Sequence, residues 1–195
     1  MHLLIYIFSY PIIKIISLLP FRIIYILSST FSLLLRNIFR YRLDTVRKNL
    51  KLVFPEKSSN EIIKIEKDFY KHFSDISFES IKAYGMTKSE MNSRYKYENI
   101  ELLHQIQKKS KNFIIICGHY SNFEWLLSIG YNVKGNGYGI YTPMSNKFFN
   151  NLFKKIRKKH NAYLISRYRI DDFIQNINPN KYHFFGFSSD QSTRK

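Results

Sequence analysis

The chain has 195 residues, of which 45% are hydrophobic and 17% aromatic, enough for one sizeable core and far too apolar for a disordered polypeptide. Thirty-one Lys and Arg against 14 Asp and Glu leave a formal charge of +17, which suits an anionic lipid surface, a nucleic acid or an acidic protein as partner. The single cysteine, Cys117, excludes an internal disulfide and any cysteine-based metal site, so a reducing cytoplasmic setting is the default and no metal or cofactor is expected.

The first 40 residues are dense in Ile, Leu, Phe and Tyr and almost free of acidic side chains. Lys14 and Arg22 split them into apolar runs at 3–13 and 23–35, each shorter than the roughly 20 residues of a spanning helix. If Arg22 snorkels, residues 15–35 are long enough to cross. A signal peptide fits poorly, because there is no positive start and no small-residue cleavage site after a compact apolar core. The expectation is an uncleaved anchor over residues 1–40, as one tilted span or as a helical hairpin in the interface, with a buried core helix pair as the alternative. The flank Arg36, Arg40, Arg42, Arg47, Lys48 and Lys51 assigns the remainder, a domain over 41–195, to the cytoplasmic side.

Beyond the anchor, the turn at 53–56 leads into a helix capped by Ser59 or Asn60 and running to about Tyr84. Its apolar stripe is Ile62, Ile65, Phe69, Phe73, Ile76 and Ser80; Asp75 and Glu79, one turn apart, read as a solvated face. A short helix over 99–107 follows. Residues 113–117, Phe-Ile-Ile-Ile-Cys, form a continuous apolar run of the kind found in a central parallel strand buried on both faces. Then come a helix over 122–129, a glycine-rich loop over 133–139, a strand over 139–142 and a basic amphipathic helix over 147–159. A strand at 163–166, a helix at 171–177 and a strand at 182–187 complete the alternation. It predicts an α/β fold, a mixed, largely parallel sheet flanked by helices, behind the helical anchor. Gly135, Gly137 and Gly139 match neither a dinucleotide fingerprint nor a P-loop.

The stretch from Gly118 to Trp125 sits where a strand gives way to a helix, at the carboxyl end where open α/β sheets place their ligands. A histidine there, His119, is suited to act as general base on an alcohol, because an imidazole can accept a proton at cytoplasmic pH. Glu124, in the first helical turn, could hold one ring nitrogen. The competing reading is that Ser121-x-x-Glu124 is a capping box with no chemistry. Cys117 reads as a packed strand thiol.

His119 and Glu124 resemble the His-x4-acid signature of glycerolipid-type acyltransferases, and residues 118–125, Gly-His-Tyr-Ser-Asn-Phe-Glu-Trp, resemble its form in the bacterial lipid A biosynthesis (late) acyltransferase family. The likeness continues in order along the chain. It includes Tyr41-Arg42, Arg47-x-Asn49-Leu50, Phe54-Pro55-Glu56, Phe69-Tyr70 with Glu79, Tyr141-x-Pro143 with Asn146, Arg157 and Asp190-Gln191. Ser121 stands where the family commonly has glycine, Phe123 where it has tryptophan, and Thr142 where it has a basic residue. Family members continue beyond the Asp-Gln pair, so this chain reads as incomplete at its C-terminus and its product as unstable or inactive in that form.

The resemblance implies an O-acyltransferase on the cytoplasmic face of a bacterial inner membrane. The donor would be an acyl carrier protein thioester, or acyl-CoA, and the acceptor a hydroxyl of a lipid A precursor or related glycolipid. His119 would be the general base and Glu124 its orienter. Asn146, Arg157 and Asp190 are candidates for contacting acceptor phosphate or sugar, set against plain roles as a helix cap, a solvated helix face and a strand-end turn. The basic helix at 147–159 suits an acidic carrier protein or anionic headgroups. Other readings are acyl transfer to another membrane glycolipid or phospholipid, and a non-catalytic basic membrane-surface protein. Nucleic acid is not the expected partner.

Overall fold

The computed structural model of the chain describes residues 2–110, 112–160 and 162–190. Contacts divide it into two compact units, one of residues 15–82 and one of residues 1–14 together with 83–195. That division follows packing, whereas the 1–40 and 41–195 boundary expected from sequence follows hydropathy.

Two apolar helices open the chain, α1 (His2–Leu18) and α2 (Phe21–Leu33), separated at Pro20, whose missing N–H suits the residue before a helix. A π-helical turn, Leu34–Ile38, extends α2, and Phe21–Ile38 is long and apolar enough to cross a membrane. Next are α3 (Leu43–Val53) and the 24-residue α4 (Ser59–Lys82). The helix α4 starts one residue earlier than expected because Ser58 and Glu61 form the capping box: the Ser58 backbone N–H donates to Glu61 Oε2 at 2.9 Å, and the Glu61 N–H reaches Ser58 Oγ at 3.4 Å.

The buried stripe of α4 is Ile62, Glu66, Tyr70 and Ser74, one residue round from the apolar one expected, and Phe69 and Phe73 are exposed instead. A carboxylate is tolerated inside because Arg36 Nε, 2.8 Å away, and Arg47 Nε, 2.6 Å away, both donate to it. Burial pushes the Glu66 carboxyl up, but the Arg47 hydrogen bond and the two guanidinium charges outweigh it and hold it below the usual carboxylate range. Asp75 and Glu79 are not simply solvated: Asp75 accepts from Ser28 and Lys71, and Glu79 accepts from Tyr25.

The other unit is built on a four-stranded sheet: β1 (Asn112–Cys117), β2 (Asn136–Tyr141), β3 (Ala162–Ser166) and β4 (His183–Ser188), in the order β1-β4-β2-β3 with every pairing parallel. Helices α5 (Lys88–Arg94) and α6 (Ile100–Lys109) precede β1. A 3-10 helix, Phe123–Tyr131, joins β1 to β2; α7 (Lys147–Lys159) joins β2 to β3, and α8 (Ile170–Asn176) joins β3 to β4. The α/β architecture with a parallel sheet and flanking helices is the expected one.

One strand differs. β1 is at an edge of the sheet because β4 takes the place between it and β2, and it alternates in burial because one of its faces is uncovered among the described residues, leaving Ile114 63% and Ile116 72% exposed. Ile129, Val133 and Phe184 form a core cluster against which Tyr97, Phe113 and Ile115 pack. Gly137 and Gly139 lie inside β2, where a Cβ at Gly137 would be 2.4 Å from the Phe184 ring.

Candidate active site

The site begins with strand register. β1 and β4 are parallel with Cys117 opposite Ser188, and the Ser189 N–H donates to the Cys117 carbonyl at 3.1 Å, so the pairing continues past both strand ends. Residues 118–119 and 189–190 are therefore side by side at the carboxyl edge of the sheet.

His119 Nδ1 is 2.7 Å from Asp190 Oδ1, and the His119 backbone N–H donates to Oδ2 at 2.9 Å. The backbone bond and the side-chain bond from His119 hold the Asp190 carboxyl below its ordinary range, so it is ionised and can only accept. Nδ1 therefore carries the proton, and Nε2, which has no hydrogen-bond partner among the described residues, is the nitrogen with a free lone pair. The imidazole also meets the Phe123 ring edge to face at 4.7 Å.

Glu124 is elsewhere engaged. Its carboxylate forms a bidentate pair with Arg157 of α7, at 2.7 Å from Nη2 to Oε1 and 3.0 Å from Nε to Oε2, with both side chains mostly buried. No hydrogen bond joins Glu124 to His119 among the described residues. The expected imidazole–Glu124 contact is thus replaced by an imidazole–Asp190 contact, because the strand pairing brings Asp190 to the ring while Arg157, a stronger partner for a carboxylate, reaches Glu124. The Ser121–Glu124 capping box is absent as well: Ser121 has φ +50 and the following turn is 3-10.

The substrate-contact candidates have local partners. Asn146 caps α7, accepting from the N–H groups of Phe148 at 3.0 Å and Phe149 at 3.4 Å. Arg157 holds Glu124, and Asp190 holds His119; Gln191 lies outside the described residues. A cavity of about 580 Å³, within the range of small-molecule sites, opens among the sheet, the 3-10 helix and α7. His119, Glu124 and Arg157 line it together with apolar Leu127, Leu164 and Phe184. Sequence reasoning missed Arg167, which follows β3 directly, lines the same cavity, and has no acidic partner among the described residues. The usable signal was its place at the carboxyl end of a strand.

A family model described as bacterial lipid A biosynthesis acyltransferase matches residues 2–193. No curated protein sequence matches the chain.

Proposed function

Because the chain belongs to the bacterial lipid A biosynthesis acyltransferase family, we propose that it moves a fatty acyl group from an acyl carrier protein thioester to a hydroxyl of a lipid A precursor at the cytoplasmic face of the inner membrane, with His119 as general base. The observation that carries this reading is His119 at the wall of a mostly apolar cavity, its Nδ1 held by Asp190.

In this reading Nε2 takes the proton of the acceptor hydroxyl as its oxygen attacks the thioester carbonyl. The imidazolium formed is stabilised by the Asp190 carboxylate. The C–O ester bond forms, the C–S bond breaks, and the proton passes from Nε2 to the departing thiolate, so no acyl-enzyme is needed. The acyl chain occupies the part of the cavity lined by Leu127, Leu164 and Phe184. Glu124 acts through Arg157, joining the 3-10 helix to α7 beside the cavity, and so positions the site without touching the ring.

Arg167 contacts a substrate phosphate. His119 follows β1 and Arg167 follows β3, which are three strand spacings apart, about 14 Å in a sheet with neighbours about 4.8 Å apart. A substrate reaching both would place its reacting hydroxyl or thioester at His119 and an anionic group toward Arg167.

The test is transfer of labelled acyl groups from acyl carrier protein to a lipid A precursor. His119→Ala is expected to lower turnover by about 10²–10⁴-fold, the usual size of a general-base contribution. Turnover equal to that of the unaltered protein removes the mechanism.

A further inference from the structure

The apolar segment Phe21–Ile38 is long enough to cross a bilayer, yet side-chain hydrogen bonds tie it to α4 along its length. Tyr25 donates to Glu79 at 2.7 Å, Ser28 donates to Asp75 at 2.5 Å, and Arg36, in the π-helical turn, donates to Glu66 at 2.8 Å. Between them the Phe31 ring meets Phe78 edge to face at 5.7 Å, and at the start of the segment the Lys82 ammonium lies 5.4 Å from the Phe21 ring. Partners rise in number along α4 as they fall along α2, so the two helices run antiparallel, side by side.

The faces of α2 are distinct. Ile24, Ser28 and Ser32 are buried, whereas Ile23, Ile26 and Leu33 are exposed. At 100° per residue these sets fall on opposite sides of the helix. The serines and Tyr25 belong to the α4 side; the outward side carries Ile23, Ile26 and Leu33, with exposed Arg22 and Thr30 beside them, and the Arg22 stem can lie along the apolar residues while its head stays at the surface.

These bonds constrain where α2 can go. To cross hydrocarbon it must either leave α4, breaking all three hydrogen bonds and exposing Glu66, Asp75 and Glu79, or take α4 with it. The helix α4 cannot follow, because Lys64, Lys67 and Asp68 are exposed on it and charges are costly in the bilayer interior. A helix with one apolar face and a polar, partnered opposite face is stable lying in the interface.

We propose that Phe21–Ile38 lies in the plane of an anionic bilayer surface, with Ile23, Ile26 and Leu33 toward the acyl chains and α4 on the aqueous side, and that it does not cross the membrane. An anionic surface is the occupant because Arg22, Arg40, Arg42, Lys48 and Lys51 are all exposed in this unit and the whole chain carries +17. The proposal refines the membrane location given under the function above, and its test reads depth and not turnover, so failure of acyl transfer and failure of in-plane docking are separate results.

The full chain, in a Cys117→Ser background, receives one cysteine at a time at Ile23, Ile26, Leu33 or Ile38, each on exposed surface. Each is labelled with bimane and bound to sealed vesicles of phosphatidylglycerol and phosphatidylethanolamine that carry nitroxide lipids at shallow or deep positions. In-plane docking gives the same ratio of shallow to deep quenching at all four sites, with shallow quenching the stronger, and several-fold weaker association with phosphatidylcholine vesicles. A deep maximum at Ile26 and Leu33 flanked by shallow ends, with Ile23 and Ile38 reached by an impermeant thiol reagent from opposite sides, overturns the proposal. Absence of quenching at all four sites overturns it as well.

Discussion

His119 sits on a strand end, and its neighbours decide its chemistry. A carboxylate five positions later in sequence is close along the chain, but a residue 71 positions away, Asp190, is the one that reaches the ring. The two carboxyl side chains can be told apart experimentally. Asp190→Asn is expected to cut kcat by at least about 10²-fold with little change in KM, since the imidazolium loses its counter-charge. Glu124→Ala and Arg157→Ala are expected to be strongly non-additive with each other, with a coupling of about 1–3 kcal/mol in a double-mutant cycle on stability. Additive losses there would mean that the bidentate pair carries no joint role. Ser121 shows how a departure from the family pattern registers physically: φ is +50, a conformation that costs a side-chain-bearing residue about 1 kcal/mol and costs glycine nothing. Ser121→Gly is therefore expected to raise unfolding stability by about 1 kcal/mol in denaturant titration.

Among the elements, α4 departs furthest from its apolar pattern. Its heptad-like spacing of Ile and Phe identifies a helix correctly, but the spacing does not identify which side is covered, because Arg36 and Arg47 make Glu66 a good interior residue. Removing one partner from such a buried cluster leaves uncompensated charge. Glu66→Ala is expected to destabilise by about 3 kcal/mol, read as a lower midpoint in urea with an unchanged slope. A loss under about 1 kcal/mol would show that the cluster is effectively solvated. β1 offers the complementary case. Its run of Ile is as apolar as that of a central strand, but the insertion of β4 between β1 and β2 makes it an edge, and one of its faces, with Ile114 and Ile116, is exposed. The 3-10 helix after it is held by Tyr97, whose hydroxyl lies 2.8 Å from Ser128 Oγ and 3.0 Å from the Leu126 carbonyl; its burial raises the phenol above its usual range.

At the scale of the molecule, several titrating groups favour the folded state at neutral pH over acid. The Glu66 and Asp190 carboxyls are depressed on folding, so their stabilisation is present above the unfolded carboxylate range, near pH 4, and disappears as pH falls through the still lower folded values. His160 is buried, with Nε2 bonded to the Ala83 carbonyl at 2.7 Å, and burial lowers its pKa. The unfolded chain then binds the extra proton first, so stability begins to fall as pH drops below about 6.5 and stops falling on this account once the folded histidine also protonates. A His160→Gln variant is expected to lose this upper portion of the pH dependence while keeping the carboxylate portion near and below pH 4; an unchanged profile would refute the assignment. The family, the acyltransferase class and the α/β alternation were legible in the residues themselves, because ordered local motifs and hydropathy periods depend on near neighbours in the chain. Which carboxylate holds the imidazole, which side of α4 is inside, which strand is the edge and what restrains the apolar segment were decided by tertiary structure alone. Each depends on pairing between residues tens of positions apart, Cys117 with Ser188, Arg36 with Glu66, Ser28 with Asp75, and local sequence carries no record of which distant strand or helix arrives at its side.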